Sequence, residues 1–110
     1  MREVARALGE EGVDTEMFFI GNKAYPDCIA CRKCKTTGEC VFGDIANELA
    51  EKAKECDGFV FGSPVYFAHP SARLLTVMDR AFYSAGKNLL SSLLQRCSRR
   101  AVRELRRRLT

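Results

Sequence analysis

The stretch Asp57-Gly58-Phe59-Val60-Phe61-Gly62-Ser63-Pro64-Val65-Tyr66-Phe67 joins a turn, a short apolar run and a loop opened by glycine. Asp-Gly is a turn signal. Phe59, Val60 and Phe61 leave no polar face, so the run reads as a strand covered by helices on both sides, as in a parallel sheet. The loop 62–68 then lies past the carboxyl end of a strand, where open parallel sheets bind ligands. Gly62 has no Cβ and lets a planar ring approach the backbone. Ser63 offers a hydroxyl and an N–H, Pro64 stiffens the turn, and Val65, Tyr66 and Phe67 present apolar and aromatic surface. The ordinary alternative is a strand-to-helix loop whose two aromatics belong to the core.

On both sides of this stretch the pattern turns helical. Asp44 can cap a helix running to about Cys56, with Ile45, Leu49 and Ala53 inward. Pro70 suits the first turn of a further helix. Its apolar positions are Leu74, Leu75, Val77, Met78, Ala81 and Phe82. Upstream, Thr15–Ile20 reads as a strand. Residues 1–11 read as a helix with Val4, Ala5 and Leu8 on one face and Gly9 and Gly12 near its stop. The order helix–strand–helix–strand–helix predicts an α/β fold with a parallel sheet and right-handed crossovers. His69, the single histidine, reads as a helix-entry residue rather than a catalytic base.

Between the first strand and the capped helix, residues 21–42 form a long loop carrying Cys28, Cys31, Cys34 and Cys40, the run C-x2-C-x2-C-x5-C. Thiolates ligate both iron–sulfur clusters and structural zinc. Two-residue gaps let neighbouring sulfurs reach different corners of one compact cluster, and a nearby fourth cysteine closes it. Zinc ribbons more often present two separate C-x2-C pairs. The spacing therefore favours an iron–sulfur cluster, expected to be 4Fe-4S, with zinc and metal-free or redox-active thiols as the other readings. A disulfide framework needs an oxidising compartment, and nothing in the chain asks for one. Cys56 reads as a small core residue.

A chain of 110 residues is at most one domain, and 46% hydrophobic residues can build a core. No apolar run approaches the roughly 20 residues of a membrane-spanning helix. The N-terminal residues read as an amphipathic helix rather than a signal peptide. The expected location is the cytoplasm, where thiols stay reduced, with no membrane partner. The net charge of +4 conceals an asymmetry. Residues 96–108 carry seven arginines and one acid, whereas the remainder has 11 basic and 13 acidic residues. Leu90, Leu93, Leu94, Cys97, Val102 and Leu105 are roughly helically spaced among those arginines, so residues 89–110 read as a basic helical tail. Such a helix could meet nucleic acid or an anionic surface, but most arginine-rich faces are merely solvated, and nucleic acid is not the expected partner.

The segments CIACRKCKTTGECVFGDI and GSPVYFAHPSARLLTVMDRAFYS together resemble the iron–sulfur flavoprotein branch of the NADPH-dependent FMN reductase-like family, which has the flavodoxin fold. The resemblance spans residues 1 to about 88. It implies a partial flavodoxin-like three-layer sandwich in residues 1–88 and an FMN- and cluster-containing oxidoreductase. It places FMN against Gly62, Ser63, Pro64, Val65, Tyr66 and Phe67, and the cluster on Cys28, Cys31, Cys34 and Cys40. It also implies a homo-oligomer that exchanges electrons with NAD(P)H or a redox partner. The rival from another class is a non-enzymatic zinc- or nucleic-acid-binding module built on the cysteine loop and the basic tail.

The departures from the family are equally specific. Members begin with a strand and a GSPRxxGNT-type loop that holds the FMN phosphate at a helix N-terminus. This sequence has neither, so it reads as a fragment whose first strand and phosphate loop are missing and which binds FMN weakly. In the strand order 2-1-3-4-5 that strand would lie between the two present here. Past Asn88 the family continues with a strand and an arginine-glycine flavin loop. Codons for Cys97–Val102 can be written so that a shifted frame spells F-S-A-R-R, which fits a frame-shifted reading of that segment.

Overall fold

The computed structural model describes residues 1–85. The reading of residues 89–110 as a helical tail, and the boundary at residue 88, lie outside the described residues.

Helix α1, Arg2–Glu10, forms where expected. Arg6 bridges Glu3 at 2.9 Å and Glu10 at 2.5 Å, one turn away in each direction. Both pairs are exposed and contribute only tenths of a kcal/mol, by the order of magnitude for surface ion pairs. Its stop is better defined. Gly12 adopts φ +78°, its N–H donates to Gly9 O at 3.0 Å, and the Val13 N–H donates to Leu8 O at 2.9 Å. That is a Schellman ending, and its left-handed residue favours glycine.

Helix α2, Cys34–Thr37, is a single turn inside the cysteine segment, which the sequence reading took wholly as loop. Helix α3, Ile45–Ala53, begins as expected, with the Asp44 carboxylate accepting from the Ala46 N–H at 3.1 Å. It ends three residues earlier than Cys56. From Lys54 to Cys56 the backbone N–H groups donate to the carbonyls three residues back, so the last turn tightens. Helix α4 covers residues 72–85. Pro70 stands outside it: it forms an isolated antiparallel bridge with Val65, and Ser71 occupies the helix entry.

The core lies between α3 and α4. Ala46, Leu49, Val77 and Ala81 are buried together, and Phe18, Ile20, Tyr25, Ile45 and Phe59 pack against them. Tyr25 secures the incoming segment by donating its hydroxyl to Ile20 O at 2.7 Å. Neither expected strand pairs in a ladder among the described residues. Both keep the alternation of a strand. Phe18 and Ile20 face the core, whereas Met17 and Phe19 are exposed. Phe59 and Phe61 both lie edge-on against Phe82 of α4, at 5.7 and 5.9 Å, whereas Val60 is exposed. Among the described residues Phe59 and Phe61 meet α4 from one side, and Val60 and Phe61 remain exposed. A parallel sheet needs ladder partners on neighbouring segments, and these two segments do not supply them to each other.

Candidate functional site

Cys28, Cys31, Cys34 and Cys40 line one shallow pocket, open to solvent, with Phe42, Arg80 and Tyr83 among its walls. The local backbone explains how one short segment brings four cysteines to the walls of one pocket. Ala30 and Arg32, on either side of Cys31, both have positive φ, at 53° and 59°. Such conformations cost roughly 1–3 kcal/mol at a non-glycine residue and gather where function constrains the chain. After Arg32 the chain enters α2, which carries Cys34 at its first residue. Gly38 closes that turn at φ +78°, donating its N–H to Cys34 O at 2.8 Å. The Lys35 ammonium sits 4.2 Å from the centre of the Tyr83 ring and ties α2 to α4.

Cys40 is held twice. The Asn47 amide brackets its backbone: the Cys40 N–H donates to Asn47 Oδ1 at 2.9 Å, and Asn47 Nδ2 donates to Cys40 O at 3.0 Å. Its sulfur accepts from Arg80 Nε at 3.3 Å. The Arg80 guanidinium is 1% exposed, the largest fully buried side chain among the described residues. It donates to Asp44 Oδ2 at 2.9 Å and Oδ1 at 2.6 Å, and to Pro26 O at 3.0 Å, with Phe42 stacked 4.9 Å away. A buried cation needs this many partners, because desolvation alone would expel it. Burial pushes the Asp44 carboxyl up, but the hydrogen bonds and charge of Arg80 and the Ala46 N–H prevail, and it titrates below its ordinary 3.8. Burial likewise works against the charged guanidinium, and the bonds to Asp44 and Cys40 outweigh it, so the Arg80 pKa is raised.

Cys28, Cys31, Cys34 and Cys40 are unbridged thiols, so no disulfide framework joins them. Among the described residues no three His, Cys, Asp or Glu side chains converge on a metal position. The donor set still suits a soft metal site: four sulfurs on one pocket wall, two exposed and two half-buried, with an N–H aimed at one of them. Cys56 is separate from this group; its thiol donates to Lys52 O at 3.2 Å.

The second predicted site, Gly62–Phe67, is a loop with its own internal supports. Ser63 Oγ accepts from the Ser71 N–H at 2.8 Å and donates to Pro64 O at 2.9 Å. The hydroxyl therefore joins the loop to the entry of α4. Tyr66 and Phe67 are 84% and 82% exposed, and Val65 is exposed beside them. These aromatics are not core residues. Gly62 does permit a close approach, and the flexible Met1 side chain makes it: a Cβ there would stand 2.3 Å from Met1 Sδ. His69 is exposed at the helix entry, with Nδ1 2.6 Å from Pro70 O. An open apolar loop with two presented rings fits a planar aromatic ligand.

The spacing of the cysteines points to Cys28, Cys31, Cys34 and Cys40 but not to the side chains around Cys40: Arg80, its partner Asp44, and Asn47. A signal was present for Arg80, which lies on the same stripe of α4 as Val77, Ala81 and Ser84, all buried. A charge on an apolar stripe marks a buried ion pair.

The chain belongs to the NADPH-dependent FMN reductase family, which its residues 1–108 match. That membership carries a flavodoxin-like α/β fold. Among curated relatives, the iron-sulfur flavoprotein MJ1083 of Methanocaldococcus jannaschii is 43% identical over 81 residues, 74% of this chain and 42% of that protein. An iron-sulfur flavoprotein of Methanosarcina thermophila is 35% identical over 86 residues, covering 78% and 44% of the two chains. One from Archaeoglobus fulgidus is 33% identical over 75 residues, covering 68% and 34%. The chain thus spans less than half the length of these relatives. No solved structure matches it.

Proposed function

We propose that this chain is the cysteine-bearing part of a redox flavoprotein, holding an iron–sulfur cluster on Cys28, Cys31, Cys34 and Cys40 and contributing Gly62–Phe67 to an FMN site. The observation that carries this reading is the shared pocket of the four thiols. The names of the relatives support it. When bound, FMN would supply exchange of electron pairs or single electrons, and a four-iron four-sulfur cluster would supply a one-electron store. The chain's own residues do the holding. The cysteines ligate as thiolates, Asn47 fixes the Cys40 backbone, and Tyr66 and Phe67 present rings for stacking. NAD(P)H or a redox partner supplies electrons to a homo-oligomer in this reading. Family membership weighs against the rival zinc- or nucleic-acid-binding module. No helix among the described residues is long and apolar enough to cross a membrane.

The test is an absorption spectrum after anaerobic reconstitution with iron, sulfide and FMN. Broad iron–sulfur absorption that bleaches on reduction is the expected result, with weak quenching of flavin fluorescence when FMN is added. A colourless chain that retains zinc under the same treatment would refute the reading.

A further inference from the structure

Arg80 is more than the counter-ion of Asp44. Asp44 takes one edge of the guanidinium through Nη1 and Nη2, Pro26 O takes a further bond from Nη1, and Nε is left for Cys40 Sγ at 3.3 Å. All the bonds depend on the planar fork, since an ammonium has one nitrogen and cannot span them. The side chain is buried, so its orientation is fixed by packing and not by solvent. Its other contacts belong to segments flanking the cysteines: Pro26 precedes Cys28, Phe42 follows Cys40, and Asp44 caps α3.

The geometry points to Arg80 as a positioning residue that aims Cys40 Sγ into the pocket and donates an N–H to that sulfur when a cluster is bound. This rests on the reading of the four cysteines as cluster ligands and adds to it a specific control on the cluster. An added electron increases negative charge on the cluster sulfurs. A fixed N–H and a positive charge beside Cys40 Sγ therefore favour the reduced form, raising the potential of the one-electron couple. The other three cysteines receive no such bond among those identified in the described residues, so the effect is asymmetric and falls on the corner held by Cys40.

The experiment uses the full chain, reconstituted anaerobically, with iron content measured first. Protein grown on arginine carrying ¹⁵N in the guanidinium alone and reduced by one electron is examined by pulsed electron paramagnetic resonance. A ¹⁵N coupling is expected in the unmodified chain and is expected to vanish in Arg80→Lys, which keeps the charge opposite Asp44 but not the Nε–H. In a redox titration Arg80→Lys should shift the midpoint to a more negative potential. Its iron retention should fall by about tenfold, as is usual for outer-shell changes. A loaded chain with no arginine coupling overturns the inference and leaves the cluster reading standing, as does an Arg80→Lys variant with an unchanged midpoint. Failure of the unmodified chain to load iron overturns both. Where Arg80→Lys fails to fold, Arg32→Lys carries the test: the coupling should persist in that variant, and its loss there would assign it to Arg32 and overturn the inference.

Discussion

Asn47 and Arg80 hold Cys40 from opposite ends, one at its backbone and the other at its sulfur. The two Asn47 bonds satisfy the Cys40 N–H and C=O in a half-buried position, where unmet groups are expensive. Asn47→Ala removes both at once and is predicted to destabilise the chain by about 1–3 kcal/mol. Asn47→Asp keeps the acceptor for the Cys40 N–H and should lose less. A urea titration reads this as a lower midpoint at constant slope. An unchanged midpoint for Asn47→Ala would show that the bracket carries no stability. Asn47 did not stand out in the sequence, and Arg80 stood out only as a charge on an apolar stripe with no sign of its partner, for a physical reason. Asn47 pairs with a backbone seven positions away, and Arg80 with an acid 36 positions away. Contacts of that kind are set by how helices dock, and local pattern does not encode docking.

The helices α2 and α3 carry the site, and they differ in what sustains them. With four residues, α2 is too short to persist alone, since nucleation is unfavourable. It depends on the left-handed closure at Gly38 and on Lys35 over Tyr83. Gly38→Val places a β-branched residue at φ +78° and should fray the turn. Cys34, half-buried in the intact turn, is then predicted to react faster with iodoacetamide, while Cys28, already exposed, keeps its rate. Equal rates for Cys34 before and after the change would contradict the account. Helix α3 is tied to pH through Asp44. Its folded pKa lies below the ordinary 3.8, so its contribution is complete above that value and is lost as pH falls through the lower folded value. Thermal melts between pH 6 and pH 2 should show an acid limb that is flatter in Asp44→Asn. The helices α3 and α4 were legible because one buried face repeats every turn, and α1 because its apolar residues recur at helical spacing. The turn at Cys34–Thr37 was not, because a single turn has no period to read. The strand-like alternation at 15–20 and 59–61 was legible too, but pairing depends on a neighbouring segment that local sequence cannot supply.

The described residues bury a small core and leave many large apolar side chains exposed. Met17, Phe19 and Val60 are exposed together with Tyr66 and Phe67. A dye that reports exposed apolar surface, such as anilinonaphthalene sulfonate, is therefore predicted to fluoresce strongly with the folded chain. The presented loop offers rings to a ligand and spends the Ser63 hydroxyl on its own architecture. Binding through ring contact alone should hardly distinguish FMN from riboflavin, so their affinities are expected to agree within roughly fivefold, about 1 kcal/mol. A much tighter grip on FMN would reveal phosphate contacts from these residues. The cysteine run was the plainest signal in the sequence, because its four members are close together and line one pocket. The decisive measurement is iron per chain after anaerobic reconstitution in a series of single Cys→Ala variants. The account predicts that changes at Cys28, Cys31, Cys34 or Cys40 each remove most of the iron and the broad absorption, whereas changes at Cys56 or Cys97 remove neither. Retention of full iron by the Cys34→Ala chain, or an equal loss from Cys97→Ala, would contradict it.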